Sequence, residues 1–426
     1  MSQTADRPVS GGGAAARPAT ESLSSAFARI RATTALLTSS LQPEDTVIQT
    51  MPDVSPTKWH LAHTSWFFEN FVLTPDVPGY RPFNEQFGYL FNSYYFSVGT
   101  MHQRPHRGML SRPTLADILD YRAHVNEAMS PLLDGADDDL RFLTVLGLNH
   151  EQQHQELILT DIKHVFSLNP LRPGLRELQV AASVSAGAQR FIEFAGGITE
   201  AGHAGDGFCF DNETPRHEAL LQPYALGDRL VTNHEYADFV ADGGYTTCAH
   251  WLSDGWTTVQ TENWRRPLYW SDDLQQEFSL SGMRRLDPNA QVCHLSLYEA
   301  DAYARWAGAR LPTEFEWENA ATTVPVAGNF MDAGLLHPAP AGKRRGLKQM
   351  YGDVWEWTSS AYAPYPGFKA LAGSLGEYNG KFMCGQAVLR GGSCATPADH
   401  IRATYRNFFY PHQRWQFAGL RLARDV

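Results

Sequence analysis

His150 and His154 stand four residues apart in the segment His150-Glu151-Gln152-Gln153-His154. On a helix, residues i and i+4 share one face about a turn apart, so two imidazoles in this register can chelate one metal ion. The same spacing also suits two satisfied surface or core histidines, so a further donor has to decide. The segment has the HExxH form of zinc peptidases, in which the Glu acts as general base. The extended peptidase motif needs Gly at position 157 and His at position 160, where this chain has Leu157 and Thr160. A downstream Glu ligand would have to be Glu177, which follows the Asn169-Pro170 break in irregular sequence. A zinc hydrolase is therefore only an alternative, as is a metal-binding protein without activity. Upstream, Trp59-His60-Leu61-Ala62-His63 supplies two more histidines. Spacing does not choose between His60 and His63. Three neutral imidazoles with no carboxylate leave up to three coordination positions open, and nitrogen donors suit iron, copper or zinc alike.

Helices must position these side chains. Apolar residues recur at helical spacing over Glu21–Leu41, with Thr20 as a cap, and over Pro56–Leu73, with Ser55 as N-cap and Pro56 at the first helical position. A loop rich in Gly, Pro, Tyr and Asn runs from Thr74 to Pro113. Two more helices follow, Thr114–Leu133 and Asp137–Ser167, the second opened by three consecutive Asp residues that suit a helix N-terminus. Four helices with one long crossover predict a bundle, in which a histidine on one helix can meet a chelating pair on another. After Pro170, short β-like runs (Arg190–Phe194, His217–Leu221) alternate with turns, and two helices remain visible, Thr232–Asp242 and Ser296–Ala307. The expected organisation is a disordered tail over 1–20, a bundle over 21–170, a linker over 171–189 and an α+β domain with little regular structure over 190–426.

Bulk properties narrow the function classes. With 426 residues the chain is too long for one ordinary core. A net charge of −11 leaves no basic footprint for nucleic acid. No apolar run is long enough to predict a membrane span, and the Gly/Ala/Pro-rich start has no signal-peptide core. Five scattered cysteines without a CxxC pair argue against disulfides or structural zinc and point to a reducing cytoplasm. Eleven Trp, 17 Tyr and 23 Phe predict a loop-rich second domain packed with rings. The expected assembly is a monomer or small homo-oligomer.

The two histidine segments, together with Arg310–Trp317 (RLPTEFEW), Gly352–Ser359 (GDVWEWTS), Gly376–Phe382 (GEYNGKF), Leu389–Pro397 (LRGGSCATP) and Phe417–Arg421 (FAGLR), resemble the ergothioneine-biosynthesis sulfoxide synthases, with ovothiol synthases next nearest. The likeness covers nearly the whole chain after the tail. The helical part is similar to a DinB-type four-helix bundle. The second part resembles the formylglycine-generating-enzyme fold, a C-type-lectin-like architecture. Formylglycine-generating enzymes use a pair of nearby cysteines, and Cys394 has no partner close in sequence, so that activity is not expected.

The resemblance implies Fe(II) held by His63, His150 and His154, with His60 in a supporting or packing role. It implies joining hercynine (Nα-trimethylhistidine) to a thiol with O₂, giving a hercynyl sulfoxide. Gln153 and Asn407 match positions that hold hercynine. Phe408 and Phe409 stand where the γ-glutamylcysteine-using branch has Trp and Asp, so a partner for a substrate ammonium is missing and free L-cysteine is the expected donor. Arg104 and Arg107 would clamp the carboxylate of the amino-acid thiol. The cysteine-using branch takes its acid from a loop tyrosine, here Tyr94 or Tyr95, with Tyr378 as rival. Adjacent residues of an extended segment point oppositely, and anchoring by Phe96 and Val98 favours Tyr95. An ovothiol synthase using histidine is the alternative, disfavoured because the chain stops at Val426 without a methyltransferase domain.

Overall fold

The computed structural model describes residues 21–343 and 345–426; the expected tail over 1–20 and the cap Thr20 lie outside them. Four helices form the N-terminal bundle: α1 (Leu23–Thr38), α2 (Thr57–Phe68), α3 (Leu115–Leu133) and α4 (Asp138–Leu168). Side chains of Ser22, Thr114 and Asp137 cap α1, α3 and α4 by accepting from backbone N–H groups one turn on. Ser55 does not cap α2. Its hydroxyl accepts from Arg107 at 2.9 Å, and the helix starts at Thr57 behind Pro56. The helix expected through Leu73 changes to a π turn over Glu69–Leu73. Buried Glu69 there accepts from the hydroxyls of Tyr80 and Tyr121, both at 2.7 Å.

Every residue of α2 is buried, so it is the central helix. It crosses α4 closely at Gly147, where a Cβ would stand 2.6 Å from the Phe68 ring and 2.9 Å from that of Phe67. No helix or strand forms between Leu168 and Phe191.

The second domain holds β1 (Phe191–Phe194), β2 (Gly197–Ala201), β3 (His217–Leu221), β4 (Tyr224–Gly227), β5 (Gln276–Ser279), β6 (Gly282–Arg285), β7 (Trp355–Ala361), β8 (Ala387–Arg390), β9 (Asn407–Phe409), β10 (Ala418–Gly419) and β11 (Ala423–Asp425). They form sheets β1-β4-β11 and β10-β7-β8-β9 and pairs β2-β3 and β5-β6. Only β7-β10 is parallel among these named pairings. Four helices of eight to ten residues accompany them: α5 (Asn233–Ala241), α6 (Ser253–Thr261), α7 (Leu297–Trp306) and α8 (Glu314–Ala321). α5 and α7 are the helices expected over Thr232–Asp242 and Ser296–Ala307, while α6 and α8 carry no expectation from the sequence.

The C-terminal half of α4 docks against this domain. Leu159, Ile162 and Phe166 share a core with Phe278, Trp415 and Phe417. Polar contacts reinforce the join. Glu156 accepts from Trp355 Nε1 (2.8 Å), Ser393 Oγ (2.6 Å) and Thr396 Oγ1 (2.7 Å). Lys163 lies 2.7 Å from His294 Nε2. All five cysteines are unpaired, and among the described residues no helix is long and apolar enough to cross a membrane.

Candidate active site

The crossing of α2 and α4 brings His63, His150 and His154 together, each buried, with one potential ligand nitrogen apiece, all within 4.8 Å of one another. The His63 ring is stacked between Trp59 (4.5 Å) and Trp66 (5.5 Å). Its Nδ1 donates to the carbonyl of Phe91 at 2.6 Å, which leaves Nε2 with a lone pair and no partner. Neither nitrogen of His150 has a partner. Buried polar atoms are ordinarily satisfied, so unpaired imidazole nitrogens converging on one point fit a metal site. Burial is the main force keeping these rings neutral. It pushes His150 down to about 3 and His63 and His154 well below the usual histidine range, with the neighbouring imidazoles adding to the effect on the latter two. Neutral imidazole is the form that ligates a metal.

His60 is not part of this convergence. Its Nδ1 lies 2.8 Å from His154 Nδ1, and its Nε2 lies 3.0 Å from Asp161 Oδ2.

Glu151 completes the HExxH pattern in sequence and departs from it in space. Its carboxylate accepts from Arg31 (2.9 Å), Arg122 (2.9 Å) and Thr34 (2.7 Å) inside the bundle. Both oxygens are committed, so no general base remains for a peptidase-like reaction. Glu177 is exposed and is not one of the clustered side chains.

A cavity of about 380 Å³ opens beside the histidines, between α4, the crossover loop and the second domain. Gln153 lies on its wall next to His154, and Tyr378, with its ring 5.7 Å from that of His150, stands opposite. The Tyr378 hydroxyl donates to Gln153 Oε1, and Gln153 Nε2 donates to the hydroxyl of Tyr405 at 2.6 Å. Asn407, Phe408 and Phe409 reach the same cavity from β9, which pairs with β8. Phe408 stacks on Tyr362 at 4.1 Å and Phe409 packs edge-on against Trp415 at 5.7 Å. Arg104 lines the cavity and donates to the carbonyl of Asp53, whose own position is also on the wall.

Arg107 lies elsewhere than expected. It is buried in the bundle, its guanidinium 3.3 Å from the centre of the Trp59 ring and bonded to Ser55 (2.9 Å) and Ser93 (3.3 Å). It braces the loops around the helix that carries His63 and does not line the cavity.

Tyr94 lines the cavity, while Tyr95 is fully buried against Trp66 (5.5 Å) and Phe71 (5.1 Å). The opposite orientation expected of adjacent residues does not hold, because the two rings lie 4.7 Å apart with planes at 32°. The Asn92 side chain accepts from Tyr95 N (3.1 Å) and donates to Tyr95 O (3.0 Å), which bends the chain out of an extended path. Phe96 (72 % exposed) and Val98 (37 %) anchor nothing in the core. The Tyr95 hydroxyl is buried without a hydrogen-bond partner. Sequence reasoning also missed Asp53, Glu156 and Tyr405 as wall residues, and His400, which holds Tyr405 at 3.0 Å. Of these, Tyr405 had a signal, since it stands two residues before Asn407.

Comparison with known proteins agrees with this architecture. Residues 26–158 match the DinB superfamily, and residues 179–426 match the sulfatase-modifying factor enzyme 1-like domain. The hercynine oxygenase of Mycobacterium tuberculosis is 33 % identical, the match covering 95 % of this chain and 99 % of that protein. The hercynine oxygenase of Mycolicibacterium thermoresistibile is 33 % identical over 88 % of each chain. The formylglycine-generating enzyme of Streptomyces coelicolor is 30 % identical over 55 % of this chain and 89 % of its own length. A likeness that runs across both domains, from the helices that carry the histidines to the strand that carries Asn407, places this chain in the hercynine oxygenase family.

Proposed function

We propose that the protein is an Fe(II)-dependent sulfoxide synthase that joins hercynine to free L-cysteine, with His63, His150 and His154 as ligands. The observation that carries this reading is the convergence of unpaired, neutral imidazole nitrogens beside a cavity whose wall is built by both domains. The reaction breaks the imidazole C–H and the thiol S–H and forms a C–S bond. One oxygen atom of O₂ ends on sulfur and the other in water, so atoms and electrons balance. Bound there, Fe(II) supplies O₂ activation and a common attachment point for sulfur and imidazole.

The chain's own groups bind and orient. Gln153 and Asn407 hold hercynine, and the Gln153 amide is braced on both sides, its oxygen accepting from Tyr378 and its nitrogen donating to Tyr405. Arg104 and Asp53, of opposite charge on one wall, suit the carboxylate and ammonium of a zwitterionic thiol. Phe408 and Phe409 give that end of the cavity no further charge, which supports a donor as short as cysteine. Tyr94 and Tyr95 supply the acid. Burial raises both phenols above their usual range, so each keeps its proton at neutral pH.

The test is anaerobic reconstitution of the metal-free chain with Fe(II), then O₂ with hercynine and either cysteine or γ-glutamylcysteine, with products read by mass spectrometry. Hercynylcysteine sulfoxide should dominate. Absence of hercynine-dependent O₂ uptake sinks the reading, and preference for γ-glutamylcysteine overturns the donor.

A further inference from the structure

Four histidines meet between α2 and α4, and the proposed ligand set uses three. We infer that the fourth, His60, acts with Asp161 as a positioning pair that fixes the tautomer and ring orientation of His154, so that its Nε2 faces the metal. The inference rests on the ligand reading above.

The geometry is a continuous line. Asp161 follows His154 by seven residues on α4, which returns it to the same face. His60 precedes His63 by three residues on α2. The His60 ring stands between them, 3.0 Å from Asp161 Oδ2 through Nε2 and 2.8 Å from His154 Nδ1 through its own Nδ1. His60 and Asp161 are 2 % and 3 % exposed, so no solvent competes for these contacts. A carboxylate only accepts, so His60 Nε2 carries a hydrogen. Its Nδ1 lies against His154 Nδ1, and with His154 ligating through Nε2 the hydrogen between the two rings belongs to His154, so His60 Nδ1 accepts. That leaves the lone pair of His154 on Nε2, the tautomer a ligand at this position needs. Such outer partners of metal-bound histidines set both orientation and basicity.

Asp161 is itself held from two sides. Ser55 N donates to Oδ2 at 2.8 Å, and Trp415 Nε1 donates to Oδ1 at 2.9 Å. Trp415 belongs to the cavity wall. The line therefore runs from substrate cavity to metal ligand through direct hydrogen bonds. His63 gains the same constraint from a backbone carbonyl, that of Phe91. His154 has no carbonyl partner at Nδ1, and His60 takes that role.

Co(II) serves as the probe metal, titrated into the metal-free full-length chain, with affinity and band positions read from its visible absorption. His60→Leu should weaken Co(II) by about 10–100-fold and shift the bands. His60→Gln, whose amide offers one acceptor and one donor, should recover most of the affinity and the wild-type spectrum. Both metal-free variants should melt near wild type. Should His60→Leu fail to fold, His60→Gln is compared with Asp161→Asn, whose amide must turn an N–H toward one of three donors and so should bind more weakly. Wild-type affinity and spectrum in His60→Leu, or in Asp161→Asn where that variant stands in, overturn the inference. So does equal weakening in Leu and Gln that tracks lowered melting of the metal-free chain. The ligand reading fails separately, if His63→Ala and His150→Ala bind Co(II) as tightly as wild type.

Discussion

The Glu151 carboxylate meets the Arg31 guanidinium at 2.9 Å, both side chains sealed inside the bundle, although Glu151 sits between the two histidines of a peptidase-like motif. Arg122 closes on the other oxygen at 2.9 Å. Removing one member of a buried pair leaves uncompensated charge, so Glu151→Ala should cost about 3–5 kcal/mol in urea unfolding of the metal-free chain. A change below about 1 kcal/mol would show that the carboxylate is not structural. Burial alone would raise this carboxyl, yet the two guanidiniums bring it down from 4.5 to about 2. Its stabilising contribution is thus present above about 4.5 and drains away as pH falls toward about 2.

Gly147 sets the separation of the helices that bring His63 to His150. Gly→Ala in a helix normally gains about 1 kcal/mol. Here the added methyl would stand 2.6 Å from the Phe68 ring, and overpacking costs about 1–3 kcal/mol. The clash should win, so Gly147→Ala is expected to lower the melting temperature and weaken metal binding together. A variant that melts higher and binds normally would refute this.

Glu277 has the opposite pH signature to Glu151. Burial pushes its carboxyl from 4.5 up to about 7, with Lys163 and Arg284 opposing, and its oxygen lies 2.8 Å from His337 Nε2. The folded state therefore binds the proton more tightly than the unfolded chain. The stabilisation is full below about 4.5 and is lost as pH rises through about 7. Denaturation at pH 5 and pH 8 should show Glu277→Gln gaining on wild type at the higher pH. A constant difference between the two would contradict the assignment.

The phenols of Tyr94, Tyr95 and Tyr378 should separate by product. Tyr94→Phe and Tyr95→Phe are expected to divert oxygen to the thiol alone, giving cysteine sulfinate. Tyr378→Phe removes a hydrogen bond to Gln153, worth ~1 kcal/mol, and should raise KM for hercynine about fivefold with little change in product ratio. A product change confined to Tyr378→Phe would move the acid to the second domain.

The bundle was legible because a 3.6-residue repeat marks α1, α3 and α4, although Ser22 and not Thr20 caps α1, and the His150/His154 register follows from helicity alone. The choice between His60 and His63 was not, because α2 is buried on every side and its residue pattern contrasts no face with another. The opposite orientations expected of Tyr94 and Tyr95 fail because one side chain, Asn92, overrides strand-like alternation. The Thr313-x-x-Glu316 capping box that starts α8 was readable, but the helix is only eight residues long. The cavity wall draws Asp53, Tyr405 and Trp415 from segments far apart in the chain, which no local period can connect.

One helix, α4, carries two histidines on one stretch and the carboxylates that seat the second domain on the next. During synthesis the bundle is complete long before Trp355, Ser393, Thr396 and Trp415 exist. Until they arrive, Glu156 and Asp161 lack those donors, and Leu159, Ile162 and Phe166 lack the part of their core that Phe278, Trp415 and Phe417 supply. The residues of the histidine cluster are thus all synthesised before the second-domain walls of the reaction chamber, and the face of α4 that seats that domain gains its partners last.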